Sequence, residues 1–238
     1  MTEAQKSPVF NALFSLYVSH LLRRHFNRIL VRLPSLPLSG PRIYIANHNT
    51  WWDSFFLCVL NERYLHDELY VMMSEEQFLK FPFSRKIGAF SINAGSISDV
   101  KAAFEYSVRV LHSSSRASLW IFPSGKITPC GLDPAYKDGF AHIASNVPAA
   151  TIVPLAIRAE YIDGQYPDAV FLGGSPLPVA GKGANAIFKE GTDALDRLRS
   201  TLERLIQRKE LGDFKVLQSG KSSVSDRYSK FKRMDWTG

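Results

Sequence analysis

An apolar run, Arg42-Ile43-Tyr44-Ile45-Ala46, passes without a spacer into Asn47-His48-Asn49-Thr50-Trp51-Trp52-Asp53. The run reads as a short buried strand, and Ser54 to Leu60 beyond it continues as a helix. If the chain turns from strand to helix at Asn49 or Thr50, His48 and Asp53 lie together at the turn and can face one cleft. An imidazole held by a carboxylate is an arrangement that deprotonates a hydroxyl near neutral pH. The plainer reading makes His48 a helix cap and Asp53 a first-turn acid favoured by the helix dipole.

The same alternation recurs downstream. Leu69 to Met73, Ala89 to Ile92, Ser118 to Phe122 and Thr151 to Ile157 read as strands, with Ala169 to Leu172 as an added edge strand. Ser98 or Asp99 is placed to cap a helix reaching His112. The fold class that follows is α/β: a mixed, largely parallel sheet flanked by helices. Residues 9–33 read as one helix with an apolar stripe through Phe10, Leu13, Phe14, Tyr17, Leu21, Phe26, Ile29, Leu30 and Leu33. Residues 184–210 read as a long basic amphipathic helix. Pro34 to Pro41 breaks helix and links the two regions. The expected organisation is an N-terminal membrane-associating helix over 1–35, a catalytic domain over 36–211, and a basic tail over 212–238 in which Val224 to Arg233 interleaves bases with aromatics.

The chain is 238 residues long with a formal net charge of +7, and that charge is uneven. Residues 1–40 hold five Lys/Arg against one acid, 41–180 eleven against thirteen, and 181–238 thirteen against eight. Basicity on the flanks suits an anionic membrane surface. Nucleic acid is not the expected partner, since no helix-turn-helix, zinc-finger or RNA-binding signature occurs. The apolar run Val9 to Leu22 is too short to cross a bilayer. It reads as a helix in the headgroup region, aromatics down, with Arg23, Arg24, Arg28 and Arg32 toward lipid phosphates; packing on the protein's own core is the competing reading. No signal peptide is evident, and two cysteines, Cys58 and Cys130, fit a reducing cytosol. No metal is expected, because His48 has no His or Cys partner at ligand spacing.

Asn47-His48-x4-Asp53 resembles the first signature block of the glycerolipid (lysophosphatidic acid type) acyltransferases. Gly88 to Asn93 resembles their second block, Ile121-Phe122-Pro123-Ser124-Gly125-Lys126 the third, and Ile152 to Ile157 the fourth. Lys137 to Ala144 looks like the family's Gly-bearing helix. The likeness spans roughly residues 36–175 and implies a glycerol-3-phosphate acyltransferase-like fold. It also implies transfer of a fatty acyl group from acyl-CoA or acyl carrier protein to a lipid hydroxyl, with no cofactor beyond that thioester. On this resemblance His48 is the base and Asp53 its orienter, while Asn47, Trp51, Trp52, Phe122, Pro123, Ser124, Gly125 and Lys126 are the substrate-site candidates; Asn47 also suits a buttress of the turn, and Trp51 and Trp52 either pack beneath the loop or line an acyl or acceptor groove. A thioester is already activated, so no Ser or Cys nucleophile is needed; Cys58, on an apolar helical segment, is set aside.

Two blocks depart from the phosphate-recognising relatives. Their second block ends in arginine, where this chain has Ala94. Their third reads Phe-Pro-Glu-Gly-Thr-Arg-Ser, where Ser124 and Ile127 replace Glu and Arg. Arginine forks grip phosphomonoesters through paired charge-assisted bonds. Losing two such contacts, at about 1.5–3 kcal/mol per hydrogen bond to a charged group, points away from lysophosphatidic acid. Expected acceptors are a sugar or lipid hydroxyl, a glycolipid or carotenoid glycoside among them, or a lysophospholipid whose phosphate sits elsewhere. Two alternatives stay open: an ordinary 1-acylglycerol-3-phosphate acyltransferase binding phosphate through Lys126 or through arginines elsewhere, and a non-catalytic membrane- or lipid-binding protein on the same fold. The expected location is cytoplasmic, peripheral on the inner face of the membrane.

Overall fold

The computed structural model describes residues 1–35 and 40–221. Its centre is one twisted sheet in the order β4-β3-β5-β2-β6-β7-β1-β9, with β8 paired to β6. The five strands β4 (Ala89–Ile92), β3 (Glu68–Ser74), β5 (Ala117–Ile121), β2 (Arg42–Ala46) and β6 (Thr151–Glu160) run parallel. β7 (Asp168–Gly173) returns antiparallel to β6, β1 (Arg28–Arg32) lies parallel to β7, and β9 (Lys215–Ser219) closes that edge antiparallel to β1. β8 is the short pair Leu177–Pro178. The expected α/β class with a largely parallel sheet is the observed one.

Alternation along β2 sorts the core. Ile43 and Ile45 join the cluster under α4 (Ile97–Ser113) and α5 (Gly139–Ser145), whereas Tyr44 and Ala46 join the one under α1 (Pro8–His25) and α2 (Asp53–Leu60). α6 (Ala184–Gln207) covers β6 and β7 through Leu202 and Ile206. Helices on both faces explain why β2, β5 and most of β6 are buried at every position rather than alternately. α3 (Glu75–Lys80) and a 3₁₀ helix (Pro82–Ile87) lead into β4. Gly88 ends the 3₁₀ helix at φ +102°, and a Cβ there would stand 2.3 Å from the Leu69 carbonyl oxygen, so only glycine fits.

Three expectations need correction. The helix expected over 9–33 stops at His25, because the Phe26 backbone turns extended and 28–32 pair with β7 and β9. Arg28 and Arg32 therefore lie on a strand and not on the helix: Arg28 meets Asp168 at 2.6 Å, and Arg32 stacks over Phe214. Residues 169–172 belong to an interior strand, since β1 and β9 cover the side expected to be an edge. The boundaries expected at 35/36 and 211/212 each leave out a strand of this one sheet. The aromatic–basic stretch Val224 to Arg233 lies outside the described residues.

Candidate active site

β2 ends where its neighbours β5 and β6 also end their pairing with it, and the chain leaves the sheet through Asn47 to Trp52 before α2 begins at Asp53. Asp53 organises the turn. Its Oδ2 accepts the backbone N–H groups of Asn49 (2.8 Å) and Thr50 (3.0 Å), and its Oδ1 accepts the Thr50 hydroxyl (2.8 Å). The same Oδ2 lies 2.7 Å from His48 Nδ1. An ionised carboxylate is acceptor-only, so Nδ1 carries the donated proton, and in the neutral ring Nε2 then keeps its lone pair. Asp53 is 1 % exposed while the His48 side chain is 18 % exposed, so the acid is sealed and the imidazole still reaches solvent.

His48 is held at two further points. Its ring stacks on Phe122 with centroids 4.3 Å apart, and its backbone carbonyl accepts the Thr128 N–H at 2.8 Å. Asn47, buried, pairs its amide with the backbone of Ile157 in both directions at 2.8 Å, acting as one more strand residue against β6. Asn49 donates to the Thr128 carbonyl at 2.6 Å and accepts from the Asn47 amide. The 122–128 loop is held by turns of its own: Gly125 N–H donates to Phe122 O, and the buried Ser124 hydroxyl donates to Lys126 O at 2.8 Å. Gly125 sits at φ +65°, where a side chain costs about 1–2 kcal/mol.

The residues chosen from sequence thus divide. His48, Asp53, Asn47 and Phe122 come together with Thr50, Thr128 and Asn49, which the sequence reading passed over. Ser124 braces its loop, and Pro123 accepts the Lys137 N–H at 2.9 Å. Trp52 is packing: it meets Phe26 edge-on at 5.3 Å and His25 at 5.1 Å. Trp51 is half exposed and touches Phe55. Lys126 and Ile127 are exposed. Lys137, exposed, brings its ammonium to 3.2 Å from where a Gly125 Cβ would sit.

Cys58 plays no part. It donates to the Ser54 carbonyl, and burial pushes its thiol up to about 12. Cys130, exposed, has no such shield. A maleimide at pH 8 should therefore modify Cys130 quickly and leave Cys58 intact, as peptide mass mapping will show; labelling of both at similar rates would contradict this placement.

A cleft of about 330 Å³ opens behind the turn, lined by Asn47, Asn49, Arg158 and, on α6, Asp196, Arg199 and Glu203. His48 and Asp53 do not line it. Both guanidiniums are already engaged: Arg158 by Glu160 at 3.0 Å and Glu203 at 3.9 Å, Arg199 by Asp196 at 2.8 Å and the Leu132 carbonyl at 3.0 Å. The Tyr136 hydroxyl, donating to Asp196 at 2.6 Å, is pushed well above its usual range by burial and that carboxylate.

The family model described as Acyltransferase matches residues 28–158, more than half of the chain. The chain belongs to the acyltransferase family. Its fold is similar to the crystal structure of the 1-acyl-sn-glycerophosphate (LPA) acyltransferase PlsC from Thermotoga maritima, with a TM-score of 0.54 and 13 % identity, over 83 % of this chain and 77 % of that one. No curated protein matches the sequence. As an acyltransferase, the chain takes an acyl donor and a lipid acceptor.

In this acyltransferase Asn49 ties the His48–Asp53 turn to the loop carrying Thr128. Asn49→Ala removes that bond, worth about 0.5–1.5 kcal/mol. A three- to tenfold fall in kcat/KM is the expected result, with a slightly lowered Tm in a thermal scan.

Proposed function

We propose that the protein transfers a fatty acyl group from acyl-CoA or acyl carrier protein to a hydroxyl of a lipid acceptor lacking a free phosphomonoester. The reading rests on one observation: His48 Nδ1 bonded to a sealed Asp53, with the ring still open to solvent. Nε2 accepts the proton of the acceptor hydroxyl as its oxygen attacks the thioester carbonyl. Asp53 holds the tautomer and stabilises the imidazolium. Collapse of the tetrahedral intermediate expels the thiolate, which takes the proton back from His48 and leaves as thiol. The acyl group passes directly to the acceptor, leaving the protein unmodified.

The surroundings support a neutral headgroup. Where relatives have an arginine the chain has exposed Ala94, and next to it Asn93 is bonded at 2.9 Å to the carboxylate of Glu75. The arginines of the nearby cleft are matched by carboxylates. The second reading, a phosphomonoester acceptor, is favoured by Lys137 lying against Gly125 beside Lys126 in sequence. An acceptor panel decides between them. A glycolipid or other neutral hydroxyl lipid should be acylated faster than lysophosphatidic acid, with Lys126→Ala and Lys137→Ala having little effect. Strong preference for the phosphomonoester, lost in the lysine variants, would replace the first reading by the second. Among the described residues no helix is long and apolar enough to cross a membrane, and α1 serves in this reading as the peripheral membrane-associating element.

A further inference from the structure

Between β5 and α5 the chain runs through residues 122–138 without helix or strand. A loop of that length in a compact domain usually binds or covers something. Its two halves are held in different ways. The inner half is stitched to the turn of His48: Thr128 N–H donates to the His48 carbonyl at 2.8 Å, and the Thr128 carbonyl accepts from Asn49 at 2.6 Å. Lys137 N–H closes the neck of the loop on the Pro123 carbonyl at 2.9 Å.

The outer half, 129–136, has no packing of this sort. None of its side chains joins the three core clusters, and Leu132 is 57 % exposed. Where a core would lie beneath it there is the cleft, with Cys130, Gly131 and Asp133 on the loop side and Arg158 on β6. Hydrogen bonds must therefore hold this half in place. Among the described residues, each one that joins 129–136 to the rest of the chain ends on Asp196 or Arg199 of α6.

Those bonds form one clamp. The half-buried Tyr136 donates its hydroxyl to Asp196 Oδ1 at 2.6 Å. Arg199 Nη1 donates to the same Oδ1 at 2.8 Å and to the Tyr136 oxygen at 3.3 Å, while its Nη2 donates to the Leu132 carbonyl at 3.0 Å. A rigid planar fork reaches a carboxylate, a phenol and a carbonyl together, which an ammonium on a flexible stem does not. Both α6 residues lie beyond the stretch 28–158 that the acyltransferase family model matches.

We propose that Arg199 is a positioning residue for the lipid acceptor: with Asp196 and Tyr136 it pins the outer half of this loop, and so sets where Ser124 to Thr128 stand against His48. The proposal rests on the acyl-transfer reading above, with the loop on the acceptor side of the site. Once the clamp is cut, the outer half is free, and an arriving acceptor must order it again at a cost to its own binding. The thioester meets no such cost.

Steady-state kinetics on the full chain, varying each substrate in turn, tests this. Arg199→Ala should raise KM for the acceptor about tenfold and leave KM for the thioester unchanged; Tyr136→Phe should raise it about threefold. Arg199→Lys should recover only part of the loss, since it keeps the charge and not the fork. Amide hydrogen exchange in Arg199→Ala should quicken over 129–136 and match wild type along α6. An unchanged acceptor KM in Arg199→Ala would overturn the proposal, as would an equal rise in the thioester KM. Faster exchange throughout α6 would also overturn it, leaving Arg199 a merely structural role. Should wild type prefer lysophosphatidic acid, the neutral-acceptor reading falls alone, and the same KM ratios are read on that lipid.

Discussion

His48→Ala should lower kcat by about 10²- to 10⁴-fold, the range that a positioned general base contributes, with KM for the thioester nearly unchanged. Little else should move. The ring makes one hydrogen bond, to Asp53, and one stack, on Phe122, so its removal leaves a small void at a partly open position and costs little stability. The backbone of residue 48 keeps its bond from Thr128 N–H whatever the side chain. A steady-state titration of thioester at saturating acceptor separates the two parameters. A KM effect with kcat intact would make His48 a binding residue.

Asp53→Ala should damage both chemistry and fold. The carboxylate accepts three hydrogen bonds within the turn besides facing His48. Removing it strands the N–H groups of Asn49 and Thr50 in a partly buried place. Hydrogen bonds to a charged group are worth about 1.5–3 kcal/mol each and are not additive, so a loss of roughly 2–4 kcal/mol is expected in a denaturant titration. Activity should fall at least as far as in His48→Ala, because the imidazole loses its tautomer and the turn its shape. Asp53→Asn should recover much of the stability and little of the activity: the amide oxygen replaces part of the acceptor set but cannot stabilise an imidazolium. Equal rescue of both would mean that Asp53 only caps α2.

The dyad was legible because it is local. Five residues joining a strand to a helix bring His48 and Asp53 together whatever the rest of the chain does. β2, β5 and β6 were legible for a related reason, as short apolar runs that only a helix-covered sheet can hide. β1 was not. Phe26, Ile29, Leu30 and Leu33 continue the helical spacing of α1, and only pairing with β7 and β9, some 140 and 190 residues away, makes the segment a strand. That same distant pairing moved β7 from the edge to the interior. Lys137 was unreadable because its approach to Gly125 follows from a backbone bond to Pro123, which no spacing announces. The stripe on α1 was seen correctly as apolar. The side of the helix that meets the protein carries Val18 and Leu22, fully buried in the core, and Ser19, which Arg63 and Gln218 reach across the fold.

The most direct measurement follows free thiol and new lipid ester together, with purified protein, a labelled acyl thioester and a hydroxyl lipid in vesicles. The account predicts thiol release only when acceptor is present, matched one to one by ester, and almost none of either with His48→Ala. Equal release by the variant, or release without acceptor and without ester, would contradict it.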